Sequence, residues 1–332
     1  MELDTSYLGL ELANPLLAAA SPLSYTLEGI RRLAAGGVGA IVLFSLFEEQ
    51  LRESALRAAS LVDTPAESFA EALDYVPQIV KEDAGPRRYL TLLERAVAAV
   101  EVPVIASLNA ATPGGCSLYA RQLQDAGAAA IELNTFFLSA DPRIDGPDVE
   151  ARHIEILESV KGAVGIPVAV KLSPFFSSTA AMAHRLVAAG ADGLVLFNRF
   201  QGPEVDPESL TTIPRVHLSS PADGTLARTW IALLHGQLAA SLAATSGVEV
   251  PADLVRYLLA GADVVMSASA LLRHGPGYAQ ELLGGLSSWM ARKGFGSVEE
   301  FRGLLAAGAG LDTRAAYVAA VRSANAGAYT TW

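Results

Sequence analysis

Cys116 is the only cysteine in this sequence of 332 residues. A single thiol excludes an internal disulfide, and it excludes an iron-sulfur cluster held by this chain alone, because a cluster takes about four thiolates. Any electron partner is then a diffusible acceptor or donor, or another subunit. Charge is scarce as well: Asp, Glu, Lys and Arg make up 18% of the residues, and the formal net charge is -11 with no basic stripe. Nucleic acid and anionic membrane surfaces are recognised by clustered Lys and Arg, so neither is expected as a partner. No apolar run approaches the ~20 residues of a transmembrane helix, and the start Met1-Glu-Leu-Asp4 lacks the basic segment that opens a signal peptide. The expectation is a soluble, cytoplasmic protein. The five histidines show no HxH or HExxH spacing, so no metal site is expected.

What the chain does have is apolar character, 51% of its residues, arranged in short runs. Eight of these read as buried parallel strands: Pro15–Ala20, Gly39–Phe44, Pro103–Leu108, Ala129–Leu133, Pro167–Val170, Asp192–Phe197, Ala239–Ala244 and Ala262–Met266. Stretches of 3.6-residue period separate most of them, at Leu27–Ala35, Leu118–Ala126, Val149–Val164, Ala180–Ala189 and Pro251–Ala260. Several of these helices end in a glycine just before the next strand, at Gly36-Gly37, Gly127, Gly190 and Gly261, where the chain needs a positive φ. Eight strand-helix units in one chain suit a closed (β/α)8 barrel of the TIM type, of class α/β, spanning 1–332 as one domain. An open doubly wound sheet is the competitor, and the GxGxxG turn that would favour it is absent after the first strand. The longest insertion, about 48–86, follows strand 2 and reads as a lid or a wall of the substrate pocket.

Asn109, Asn134, Lys171 and Asn198 each follow the downstream end of one of these runs. Parallel barrels place their ligands at the carboxyl ends of the strands, so three amides and an ammonium are expected to meet at one mouth and to bind a polar, planar, anionic molecule. Lys171 by itself is open to three roles: a Schiff base with a carbonyl substrate, neutralisation of an anion, or pairing with a buried carboxylate such as Glu132. Cys116, at the start of a helix after strand 3, is either a thiol activated by that helix end or a small packing residue. His153 and His235 lie in predicted helices and read as packing residues. His217 and His274 fall in loops within reach of a substrate. The charge-rich turn Asp141–Asp148 is expected to face solvent.

Several segments together resemble a known family. Ala13-Asn-Pro-Leu-Leu-Ala-Ala-Ala-Ser-Pro22, Glu132-Leu-Asn134, Ala169-Val-Lys-Leu-Ser-Pro-Phe175 and Phe197-Asn198 are similar, in order and spacing, to segments of the FMN-dependent dihydroorotate dehydrogenases. Ser45–Gln50, Asp192–Phe200, Leu259–Met266 and Ser269–Pro276 resemble most of all the branch called dihydroorotate dehydrogenase-like proteins. The likeness runs from about Leu3 to about Leu305. It implies FMN as cofactor, an N-terminal β extension before the barrel, a small-molecule substrate and a homodimer. It also implies that Ala19, Ala20 and Ser21 lie against the flavin, with Asn109 near it. Asn134 and Lys171 would bond the isoalloxazine, the lysine near the N1 and O2 atoms where negative charge gathers on reduction. Asn198 would contact substrate. The phosphate end would fall on Ser246, Gly247, Ala268 and Ser269, whose backbone donors are kept if φ stays negative.

The departures concern the chemical centre. The family motif Asn-x-Ser-Cys-Pro-Asn, which carries the Cys or Ser base, reads Asn134-Thr-Phe-Phe-Leu-Ser139 here, so Phe137 stands at the position of the base. Phe44 stands where the family has a lysine after strand 2. These changes point to a substrate other than dihydroorotate, in an apolar pocket of Phe44, Phe136, Phe137 and Tyr75, with Ser45, Asp74, Tyr75 or Ser139 handling a proton. Lys171, Ser45 and Asn198 are then the expected catalytic residues. The alternatives are an FMN-binding protein without turnover and a flavin-free aldolase using Lys171.

Overall fold

The structure is a computed structural model that describes residues 1–62, 85–214, 216–307 and 312–327. All eight predicted strands are present, each within a few residues of its expected bounds. After a short antiparallel pair, β1 (Thr5–Tyr7) and β2 (Leu10–Leu12), come β3 (Leu16–Ala18), β4 (Ala40–Phe47), β5 (Val104–Asn109), β6 (Ala130–Asn134), β7 (Val168–Leu172) and β8 (Gly193–Leu196). A hairpin of β9 (Pro203–Asp206) and β10 (Thr211–Pro214) then precedes β11 (Ser241–Thr245) and β12 (Val264–Ser267). The eight longer-range strands close in the order β11-β12-β3-β4-β5-β6-β7-β8, every neighbour parallel. This is the (β/α)8 barrel that the runs predict.

The predicted helices are also present. They are α1 (Leu27–Ala35), α4 (Ser117–Asp125), α5 (Gly146–Lys161), α6 (Thr179–Ala188) and α8 (Pro251–Ala260). The remainder are α2 (Glu48–Val62), α3 (Pro86–Val97), α7 (Gly224–Leu234), α9 (Ser269–His274), α10 (Tyr278–Lys293) and α11 (Thr313–Gly327). Thr26 caps α1 by accepting from Gly29 N at 3.1 Å, and Asp145 caps α5 in a reciprocal box with Asp148. The charge-rich turn is exposed from Pro142 to Asp148 and starts a helix. Past the helix ends, φ is +88° at Gly37, +91° at Gly127, +100° at Gly190 and +109° at Gly261, as the C-terminal signals require. The insertion after the second barrel strand begins as α2, and residues 63–84 lie outside the described residues.

Alternation divides the apolar side chains between two cores. Leu16, Ala18, Ile41, Leu43, Leu108, Leu133 and Val170 face the helices, whereas Leu17, Ala40, Val42, Ile105, Ala169, Val195, Ala243 and Met266 fill the barrel. The N-terminal extension belongs to the inner core. Tyr7, Leu8 and Leu12 pack against the barrel-lining side chains, and the extension is tied to the strand starts by Leu8 N to Ser241 Oγ and Thr5 Oγ1 to Asp263 O. The amino-terminal end of the barrel is thereby plugged with apolar groups, each fully buried side chain contributing roughly 1.5–3 kcal/mol. The opposite end is left for a ligand.

Candidate functional site

At that open end the lining turns polar. Asn109, Asn134 and Lys171 are neighbours in register on β5, β6 and β7, and Asn198 follows β8, its amide donating to Leu172 O at 2.7 Å. The four residues are brought together as the strand ends predict. Asn198 Nδ2 donates to Asn134 Oδ1 at 2.9 Å, and Phe136 N donates to the same oxygen at 3.2 Å. Lys171 is buried, with Nζ 3.3 Å from Glu132 Oε1. Of the roles left open for this lysine, pairing with Glu132 is the one the side-chain geometry carries.

A cavity opens at the ends of β3, β7, β8, β11 and β12 with Lys171 and Asn198 in its lining, while Asn109 and Asn134 lie beside it and do not line it. Its walls include Ala19, Ala20 and Ser21, then Lys171, Phe197 and Asn198, then Thr245 and Ser246, and finally Met266, Ser267, Ala268 and Ser269. Small side chains line the part formed by the ends of β3 and β12, whereas Arg199, Gln201, Val216, His217, Leu218 and Leu272 line the rest. Gly247 adjoins Ser246, and the two take positive φ in succession, +78° at Ser246 and +67° at Gly247. The expected negative φ is therefore not kept at Ser246, where the turn bends the other way. At Gly247 a Cβ would sit 2.6 Å from Gly224 N and 2.9 Å from Ser220 O, so no side chain fits. Ser269 Oγ accepts from both Ser219 N and Ser219 Oγ at 2.9 Å, which ties the segment Val216–Ser219 across the cavity. His217 lines the cavity, and its carbonyl accepts from Arg199.

Two of the aromatic residues expected to wall a substrate pocket, Phe44 and Phe137, lie elsewhere. A register shift on β4 between Val42 and Ser45 changes which side chains face inward. Phe44 turns out against Tyr25 and Tyr89, with ring centroids 4.5 Å and 4.9 Å away, in a separate cleft under α3. Tyr89 exploits the same irregularity: its hydroxyl accepts from Ser107 N at 2.9 Å and donates to Ser107 O at 3.3 Å. Ser45 hydrogen-bonds Ser107 Oγ at 2.8 Å, and Ser107 is paired in register with Glu132. Phe137 docks on α5, its ring 4.9 Å from His153 and under the Arg152 guanidinium at 4.2 Å. Neither Phe44 nor Phe137 lines the cavity over Lys171. Tyr75 and Asp74 fall outside the described residues. Ser139 is exposed, beyond Phe137.

The cysteine and three of the histidines have structural positions. Cys116 is buried at the start of α4, and burial together with the Glu48 carboxylate pushes its thiol up to about 12, so it stays protonated and packs. His153 is buried between Phe137 and Phe176 with Nδ1 on Val149 O at 2.7 Å, and His235 caps α7 rather than lying within it, bonding Gly261 O at 2.9 Å. His274 pairs with Glu249 outside the cavity. A residue that strand-end reasoning passed over is Glu48. Its carboxylate accepts from Ala111 N at 2.7 Å, Thr112 N at 2.8 Å and Thr112 Oγ1, and pairs with Arg52, so it holds the loop after β5. The only sequence signal was its place after an apolar run.

Comparison with known proteins gives the same direction as the motifs. The chain is 27% identical over 321 residues to the catalytic subunit of dihydroorotate dehydrogenase B (NAD(+)) of Methanothermobacter thermautotrophicus, covering 91% of this chain and 98% of that one. It resembles dihydroorotate dehydrogenases over nearly its whole length. The putative dihydroorotate dehydrogenase A (fumarate) of Aeropyrum pernix is 27% identical over 91% of this chain and 97% of its own. The dihydroorotate dehydrogenase B (NAD(+)) catalytic subunit of Listeria monocytogenes is 27% identical over 89% of this chain and 95% of its own. No family model matches the sequence. Among the described residues, no helix is long and apolar enough to cross a membrane.

Proposed function

We propose that this chain is an FMN-dependent oxidoreductase resembling dihydroorotate dehydrogenase, acting on a small organic substrate other than dihydroorotate. The observation that carries the reading is the buried Lys171 ammonium on the floor of a cavity that has small residues, Ala19, Ala20, Ser21, Ala268 and Ser269, on one wall and Arg199, Gln201 and His217 on another. The residues present fit the cofactor. Ser267 Oγ is buried at the cavity wall with no hydrogen-bond partner among the described residues, a donor awaiting an acceptor. Ser246 lines the cavity on a turn of positive φ, with Gly247 behind it packed against Gly224 and Ser220, and would stand at the phosphate end. Ala19, Ala20 and Ser21 would lie against the ring system, and Ala268 and Ser269 would complete the phosphate end.

When bound, FMN supplies hydride acceptance and donation. Lys171 would hold positive charge beside the ring system and so favour its reduced, negatively charged form electrostatically, with no covalent bond. Asn134 and Asn198, joined to each other, orient groups over the floor, with Asn198 within the cavity for substrate. Ser45 is held by Ser107 and lines the separate cleft with Phe44 rather than the cavity over Lys171, so it handles a proton only for a substrate that reaches that cleft. Electrons leave or enter through a diffusible partner or a separate subunit, because the one thiol cannot hold a cluster. Dihydroorotate is disfavoured because the position of the family base is Phe137, docked against Arg152 and His153. The same observation favours the second reading, an FMN protein without turnover.

A visible spectrum of the purified protein, with mass identification of what heat releases, tests the cofactor. Stoichiometric FMN supports both readings, and a colourless protein that takes up no added FMN sinks both. Anaerobic bleaching by a panel of dihydropyrimidines and other small reductants separates them. In the first reading a panel member reduces the flavin, and in the second none does.

A further inference from the structure

We propose that Glu132 is the positioning residue for Lys171: a buried carboxylate that anchors the ammonium at the floor of the cavity and so sets the electrostatics felt by a bound flavin. The inference rests on the flavoprotein reading. Strand register places Asn134 beside Lys171, so Glu132 lies two residues deeper on β6, on the same inner face. Its side chain is 2% exposed against 11% for the lysine. Lys171 thus meets the cavity and Glu132 lies beneath it, outside the lining. Glu132 is the hydrogen-bond partner of Lys171 Nζ among the described residues, at 3.3 Å.

Stability alone does not account for such a pair. Two ions in a low-dielectric interior lose hydration that their attraction repays only with good geometry and saturated hydrogen bonding, and a pair of apolar residues of similar size often does as well or better. Here the saturation is incomplete, because Glu132 Oε2 is buried with no partner among the described residues. The retained cost is explained if the product is a lysine that cannot swing away from the floor. The titratable groups facing the pair do not compete for it. Tyr7 from β1 and Tyr89 from α3 both have their phenols raised by burial and further by the Glu132 charge, so both stay neutral. Asp263, which also acts on Tyr7, is engaged by Arg302.

A substitution cycle on the FMN-loaded protein decides the matter, reading the flavin reduction potential and the FMN dissociation constant for wild type, Glu132→Gln, Lys171→Met and the double variant. Glu132→Gln keeps size and a hydrogen-bond acceptor but removes the charge. Expected are a lower potential and an FMN dissociation constant raised about tenfold or more in Lys171→Met, with Glu132→Gln reproducing at least half of each logarithmic shift. Adding Glu132→Gln to Lys171→Met should move neither quantity further, since Glu132 acts through the lysine. Glu132→Asp, which keeps the charge and stands in if the Gln variant fails to fold, should shift the potential in the same direction by less than Lys171→Met does. A potential unmoved or raised in Glu132→Gln overturns the proposal, as does an equal shift in both lysine backgrounds or, for Glu132→Asp, no shift. A wild-type protein that binds no FMN fails earlier and defeats the flavoprotein reading itself.

Discussion

Asn198 Nδ2 donates to Asn134 Oδ1 at 2.9 Å, joining the loop after β8 to the end of β6 over the intervening β7. Because Asn134 Oδ1 also accepts from Phe136 N, one amide organises two loops at the mouth. Asn134→Ala should lower stability by about 1–3 kcal/mol, as two donors lose a partly buried acceptor. Asn198→Ala, which leaves the Phe136 bond intact, should cost less. Urea midpoints of the two variants check the order, and both should release FMN faster than wild type.

Lys171→Met removes the partner of a buried carboxylate. The expected loss is about 3–5 kcal/mol, the magnitude associated with breaking a buried pair from one side. The double variant Glu132→Gln, Lys171→Met should recover much of it. Equilibrium unfolding of the flavin-free forms measures this separately from any effect on the flavin.

Glu48 should make the loop after β5 sensitive to acid. Burial pushes its carboxyl up, but the hydrogen bonds from Thr112 Oγ1 and the Ala111 and Thr112 amides, together with Arg52, outweigh burial and hold it below the ordinary value. A lowered folded value means stabilisation that is complete above the ordinary glutamate pKa of about 4.3 and is lost as pH falls through the folded one. Glu48→Gln should cost about 2 kcal/mol at pH 7 and lack that acid-dependent step. Thermal unfolding between pH 7 and pH 3 reads both effects.

His153 carries a dependence at higher pH. Burial lowers its pKa, with the Val149 carbonyl opposing only in part, so the folded protein keeps it neutral when the unfolded chain takes up a proton. Its stabilisation is present above about pH 6.5 and declines on acidification towards the folded value, by up to about 1.4 kcal/mol per pH unit. His153→Phe, which preserves a ring between Phe137 and Phe176, should flatten the stability profile between pH 6.5 and pH 5. An unaltered slope would count against this assignment.

The barrel and its mouth were legible in the chain because both follow from period and polarity. Runs such as Pro167–Val170 are too short and apolar for anything but a buried strand between helices, and glycines such as Gly261 mark where a helix must stop. Once eight parallel strands close, the residues at their carboxyl ends share one rim, so Asn109, Asn134, Lys171 and Asn198 meet as a consequence of topology. The hairpin β9–β10 was not among the predicted units, its residues being exposed at Glu204, Val205 and Thr211–Ile213 and without a buried face to set a period.

The direction in which individual side chains point was decided by the tertiary structure. Strict alternation would carry Phe44 inward with Val42, but the β4 register shift turns it towards Tyr25 and Tyr89 and leaves Ser45 with Ser107. The choice of Phe137 between the mouth and α5 depended on Arg152 and His153, sixteen residues away at most in sequence but on another element. Pattern in a sequence records which residues avoid water, since that cost is local and additive. Which neighbour each one meets depends on bulges and on helices packed from elsewhere, and these exist only when the barrel has closed.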